Sequence, residues 1–106
     1  MAAGDKITGS MSSAARGSSF QPIAQRPFNI WFYGTFSGTV VIVRSPDLGT
    51  TWVPVAKPDL SGVASFTVPL SITAFEADGA NLWAVSTATA DGGSYNSGTI
   101  NYQFDT

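Results

Sequence analysis

From Phe28 onward, apolar residues come in short runs broken by Gly, Pro, Asp or Asn, and nowhere at the spacing of a helix. Phe28-Asn29-Ile30-Trp31-Phe32-Tyr33 closes at Gly34. Further β-branched or aromatic runs cover Thr39 to Arg44, Thr51 to Ala56, Ala64 to Val68, Ser71 to Ala77, Leu82 to Thr87 and Thr99 to Phe104. The last run alternates, with Ile100, Tyr102 and Phe104 on one face and Thr99, Asn101, Gln103 and Asp105 on the other, so it should cover a core on one side only. Pro54 and Pro69 each lack a backbone donor and belong at sheet edges or bulges. Many short strands without a helical period predict an all-β fold, an antiparallel two-sheet β-sandwich of the immunoglobulin-like or jelly-roll kind, over residues 28–106.

The first 27 residues differ. They are Gly, Ser and Ala with scattered Ile7, Met11, Phe20 and Ile23, follow neither strand nor helix period, and end in Gln25-Arg26-Pro27. Such a stretch buries too little apolar surface to offset its own ordering entropy. The expectation is an extended N-terminal arm, residues 1–27, that orders on neighbouring subunits through Ile7, Met11 and Phe20 and through the charges of Arg16 and Arg26.

Composition narrows the function classes. Of 106 residues 43% are hydrophobic and only 11% charged, against a usual charged share of about a quarter. A surface made of Ser, Thr, Asn, Gln and Gly suggests burial against partners. The absence of His and Cys removes disulfides, thiol nucleophiles, imidazole bases and zinc sites built on either ligand. Lys6, Arg16 and Arg26 outweigh Asp5 in the first 27 residues, whereas Arg44 and Lys57 face six acids in the rest. An acidic body argues against nucleic acid as a partner, because duplex binding neutralises several phosphates with Lys and Arg. No apolar run is long enough to span a bilayer, and none follows Met1 as a secretory signal would, so the expected place of synthesis is the cytoplasm.

The most specific local signal is Ser45-Pro46-Asp47-Leu48-Gly49-Thr50-Thr51-Trp52. Asp47 can accept from amides of its own turn, Gly49 supplies a positive φ, and Trp52 is expected to re-enter the core. The string resembles the Asp-box hairpin, S-x-D-x-G-x-T-W, of sialidases and many unrelated β proteins, where the resemblance implies a structural turn at Ser45, Asp47, Gly49, Thr51 and Trp52. A sialidase would need several such repeats and a cluster of arginines, and the body of this chain offers only Arg44. A wider string, Phe32-Tyr33-Gly34-Thr35-Phe36-Ser37-Gly38-Thr39-Val40-Val41-Ile42-Val43-Arg44-Ser45, then the turn, Trp52-Val53-Pro54-Val55 and Ser97-Gly98-Thr99-Ile100-Asn101-Tyr102, is similar to small tailed-bacteriophage virion proteins. That resemblance, over residues 28 to 104, implies a capsid decoration or cement protein, or another minor head or tail component. Its partners would be its own copies and major capsid or tail proteins, and its place the virion assembled in the host cytoplasm. The long leader departs from the family pattern and leaves the mode of attachment open.

Catalytic groupings are sparse. Glu76 and Asp78 lie two apart, about 7 Å between side-chain bases on one strand face, between the spacings of retaining and inverting glycosidases. Asp78-Gly79 is equally an ordinary turn. Asp78, Asn81 and Asp91 supply oxygens for a calcium ion but lack the spacing of a known calcium loop. Asp91-Gly92-Gly93-Ser94-Tyr95 has neither Lys nor a following helix and is expected to be a loop. No enzyme activity, metal or cofactor is expected.

The aromatics leave three readings open. Phe28, Ile30 and Phe32 point one way and Trp31 and Tyr33 the other, so both faces of the first strand are apolar. Trp31 and Tyr33 fill a core, or form a contact with other subunits, or stack on sugar rings as in a carbohydrate-binding module.

Overall fold

The computed structural model describes residues 3–56 and 64–106. It is an all-β fold of two antiparallel sheets packed face to face. The strands are β1 Ile7–Met11, β2 Arg26–Tyr33, β3 Phe36–Ser45, β4 Val53–Pro54, β5 Ser65–Phe66, β6 Leu70–Glu76, β7 Leu82–Ser86, β8 Ser94–Gly98 and β9 Ile100–Asp105. The first sheet has the order β1-β9-β2-β6. In the second, β3 is central: Val41 and Val43 pair with β5 and β4 on one side and with β7 on the other, while β8 pairs with the first half of β3.

Period-two patterning sets the layers. Phe28, Ile30 and Phe32 of β2, Ile100, Tyr102 and Phe104 of β9, and Val40, Ile42, Trp83 and Val85 of the second sheet form the core between the sheets. Val40 to Val43 are all buried, because both faces of β3 are covered. On the far face, Val41, Val43 and Ala84 form a second cluster against Trp52. Trp52 therefore does not enter the core between the sheets. The hairpin folds its indole over the back of the second sheet, and the Arg16 guanidinium lies 5.1 Å from the ring.

The expected arm is instead part of the sandwich. Residues 1–2 and Lys57 lie outside the described residues, but β1 extends the first sheet by pairing with β9, from Ile7↔Phe104 to Met11↔Ile100. The chain then crosses to the second sheet and runs along β7. There the amides of Gly17 and Phe20 donate to the carbonyls of Val85 (2.8 Å) and Trp83 (2.7 Å), and the Trp83 amide donates back to Phe20 (2.9 Å). Phe20 is fully buried, stacked on Phe104 at 5.1 Å between ring centres and 5.3 Å from Phe28. The glycines have a packing reason as well. Gly9 and Gly17 lie against the Tyr102 ring, a Cβ at Gly17 would sit 2.8 Å from it, and one at Gly9 would collide with the hydroxyl. The Tyr102 hydroxyl in turn accepts from the Ser18 amide at 2.8 Å. Composition alone read this segment as unable to fold because its partners lie far along the chain.

One further expectation changes, and the prolines lie where the sequence puts them. The loop expected at Asp91-Gly92-Gly93-Ser94-Tyr95 is a 3-10 turn, Thr89–Asp91, running into β8, which pairs with β3 across a register shift at Ser37/Gly38. Pro54 lies in β4, a two-residue edge strand, and Pro69 immediately precedes β6.

Candidate interaction surface

The outward face of the first sheet carries the exposed aromatics. Register places Trp31 between Ser71 of β6 and Gln103 of β9, and Tyr33 beside Asn101. Trp31 is 42% exposed, Tyr33 48% and Phe75 57%, too open for a core role. Around Trp31 and Tyr33, Pro69 and Leu70 complete a shallow groove at the β6 side. The rest of the face is Thr8, Ser10, Asn29, Ser71, Thr73, Asn101 and Gln103, with Asp105 its one acid and Lys6, exposed just before β1, near enough for its charge to act on that carboxyl.

Hydrogen bonds hold this face rigid. The Thr73 hydroxyl donates to Asn29 Oδ1 at 3.1 Å, Asn29 Nδ2 to Asp105 Oδ1 at 2.8 Å, and Gln103 Nε2 to Asp105 Oδ2 at 2.6 Å. The bonds from Asn29 and then Gln103 hold the Asp105 carboxyl below its usual range.

The other expected contact residues divide. Arg26 is exposed at the far end of β2 from Tyr33. Met11 and Phe20 are buried in the core of their own chain, and Ile7 is half-buried against it. Arg16 is paired within the chain. Its Nε and Nη2 donate to Asp91 Oδ2 (3.2 Å) and Oδ1 (3.0 Å), and Ser86 Oγ donates to Asp91 Oδ2 at 2.6 Å. Burial pushes the Asp91 carboxyl up, but the Arg16 and Ser86 bonds and the Arg16 charge outweigh it and hold the group below its ordinary value. A carboxylate with a depressed folded pKa contributes stability above its unfolded value and loses it as pH falls through the folded one. Asp91→Asn is therefore expected to lower the melting temperature at neutral pH and to flatten the loss of stability below about pH 4; an unchanged acid limb in a pH series of thermal melts would refute this.

The Asp-box hairpin forms from bonds within its own residues. Ser45 Oγ donates to Asp47 Oδ1 at 2.9 Å and accepts from the Gly49 amide at 2.7 Å. The Thr51 amide donates to Asp47 Oδ1 at 2.7 Å, and Trp52 Nε1 to the Gly49 carbonyl at 3.1 Å. Gly49 has φ +97°, the conformation expected of it. Bonds from Thr51, the backbone first, hold the exposed Asp47 carboxyl below its usual range. All five residues serve the turn, which covers the back of the second sheet and lies away from Trp31.

The acids set apart as chemical candidates are engaged separately. Glu76 is buried, and its Oε1 accepts from Arg44 Nε at 3.0 Å, from Arg44 Nη2 and from Trp83 Nε1 at 3.1 Å, while Oε2 accepts from the Asp78 amide at 3.2 Å. Burial raises the Glu76 carboxyl, and these bonds, with one from Asn81, bring it below the usual glutamate value. Asp78 is exposed and accepts from the Ala80 amide at 2.9 Å in its turn. With Asn81 bonded to Glu76 and Asp91 to Arg16, the calcium triplet is not assembled. No group of three potential metal-ligating acids occurs among the described residues. A cavity of about 350 Å³ beside Arg44, Val53 and Asn81 has its one cation already neutralised by Glu76.

Sequence reasoning missed the Arg44–Glu76–Trp83 and Arg16–Asp91–Ser86 clusters. The available signal was a charged residue inside a strand run, Arg44 next to four β-branched residues and Glu76 next to Phe75. Comparison of the chain with protein-family models, with curated proteins and with solved structures finds no match.

Proposed function

We propose that this chain is a non-enzymatic virion structural protein, a capsid decoration or cement protein or another minor head or tail component. It binds its own copies and a protein lattice through the outward face of the β1-β9-β2-β6 sheet. The observation that carries the reading is the pair of half-exposed rings, Trp31 and Tyr33, on a sheet face of few charges braced by the Asn29–Asp105–Gln103 bonds. Large aromatics at the centre of a rigid patch are the residues that anchor protein interfaces. A low-charge, Ser- and Thr-rich surface agrees with a chain that works buried among partners.

A second reading draws on the same place. Trp31 flanked by Gln103 and Ser71, and Tyr33 by Asn101, is an arrangement of ring and amide that also stacks on and hydrogen-bonds a saccharide. Mass spectrometry of density-purified particles from cells carrying the gene separates the two. The structural reading expects the chain as a repeated particle component, and Trp31→Ala to deplete it by about tenfold or more while its melting temperature stays within a few degrees. Absence from particles, together with monomeric binding on a glycan array that Trp31→Ala abolishes, would replace it with the carbohydrate reading.

A further inference from the structure

We infer that β6 is a self-pairing edge: two copies of this chain join antiparallel along Leu70–Glu76, related by a two-fold axis at Thr73, and merge their four-stranded sheets into one. The inference deepens the proposed function, resting on its premise that the chain binds its own copies.

The observation is an imbalance among the sheet edges. A strand with one unpaired side offers a row of free donors and acceptors, and proteins block such rows with short strands, Pro, Lys or a covering segment. In this molecule the β7 side of the second sheet is covered by residues 15–20, through bonds to Val85, Trp83 and Thr87. Its opposite side is broken into two-residue strands, one containing Pro54. At the far edge of the first sheet, β1 has five residues and Lys6 beside it. By contrast β6 has seven residues, pairs on one side with β2, and has no second partner among the described residues. It contains no Pro, Lys or Arg. Its one charge, Glu76, is turned inward to Arg44 and Trp83 and does not guard the edge.

The edge is also self-complementary. Side chains of paired strands must match face for face, which allows only registers that move in steps of two. Of these, the register centred on Thr73 overlaps all seven residues. It sets Thr73 opposite Thr73 of the second copy, Phe75 opposite Ser71 and Ile72 opposite Ala74, each on its proper face. Because Ser71 is already paired with Trp31, Phe75 of one copy would lie two strands across from Trp31 of the other, with only the small Ser71 between them. That register brings together two of the large exposed apolar side chains of the face, and brings no like charges into opposition. A two-fold contact of this kind closes on itself, giving a dimer and not a fibre.

The test uses the full chain, which has no native cysteine to interfere. Sedimentation equilibrium should show a concentration-dependent dimer. Thr73→Cys should crosslink into dimers with a short bis-thiol reagent, and Thr8→Cys, exposed on the opposite edge strand, should not. Thr73→Lys puts two ammonium groups face to face at the two-fold axis and should raise the dimer dissociation constant about tenfold or more, while the monomer melt falls by no more than a few degrees for the lost exposed bond to Asn29. Thr8→Lys should leave it unchanged. A wild-type chain that stays monomeric, equal crosslinking at Thr73→Cys and Thr8→Cys, or a Thr73→Lys dimer as tight as wild type would each overturn edge pairing. Particle composition reports independently: a wild-type chain that stays monomeric yet is found on particles overturns only this inference, and wild-type pairing with the chain absent from particles overturns the lattice reading.

Discussion

Deleting residues 1–20 is expected to leave a chain that does not fold, and Phe20→Ala alone to cost about 3–5 kcal/mol. The segment supplies an entire strand to β9, buries Met11 and Phe20, and covers the β7 edge. Phe20 has no exposed surface and touches Phe28 and Phe104 of the first sheet while its backbone pairs with Trp83 of the second. Truncation there opens a cavity the size of a ring in the middle of the aromatic cluster, which rigid neighbours on both sheets cannot collapse to fill. For a domain of this size the loss corresponds to a fall of about 15–25 °C in melting temperature, read by circular dichroism. A truncated chain that melts cooperatively near the wild-type temperature would mean that the segment is only a surface passenger. The same experiment bears on assembly, because an arm free to lie on neighbours would be removable without loss of fold.

Arg44→Ala should produce the second-largest effect, and its pH dependence identifies the cause. Removing the guanidinium leaves the Glu76 carboxylate, 3% exposed, with bonds only from Trp83, the Asp78 amide and Asn81. An unpaired buried charge costs several kcal/mol; since the Arg44 side chain is 43% exposed and screened by water, the lower end, about 2 kcal/mol, is expected. In the wild type the depressed Glu76 carboxyl contributes stability above its unfolded value of 4.5 and loses it as pH falls through the lower folded value. Without Arg44 the burial effect is opposed by fewer bonds and the carboxyl rises, so the variant is less penalised by acid. The stability gap between variant and wild type is thus expected to be widest near neutrality and to narrow below about pH 4.5. Adding Glu76→Gln to Arg44→Ala should restore part of the loss at pH 7, because the neutral amide removes the stranded charge. A gap constant with pH would place the effect in lost packing over the Trp83 ring, 5.3 Å from the guanidinium, and not in the ion pair.

Local chemistry made much of this protein legible from its sequence. The alternation of Ile100, Tyr102 and Phe104 and the shared face of Trp31 and Tyr33 follow from a period of two, a property of the strand itself, and the unbroken Val40 to Val43 run marks a strand covered on both faces. The Asp-box turn was equally readable because every bond that shapes it closes within eight residues. Tertiary structure decided what depends on distant partners. The N-terminal segment is too poor in apolar residues to form a strand alone. It does so because β9 offers it a free edge and Tyr102 packs on its glycines, contacts formed across more than eighty residues of chain. β8 is likewise a strand only because Phe36 to Thr39 lies beside it. The neutralisation of Arg44 by Glu76 spans 32 residues, and that of Arg16 by Asp91 spans 75. Whether Trp31 meets core or solvent was also beyond sequence pattern, since a period of two says which residues share a face but not which face finds a second layer to pack against.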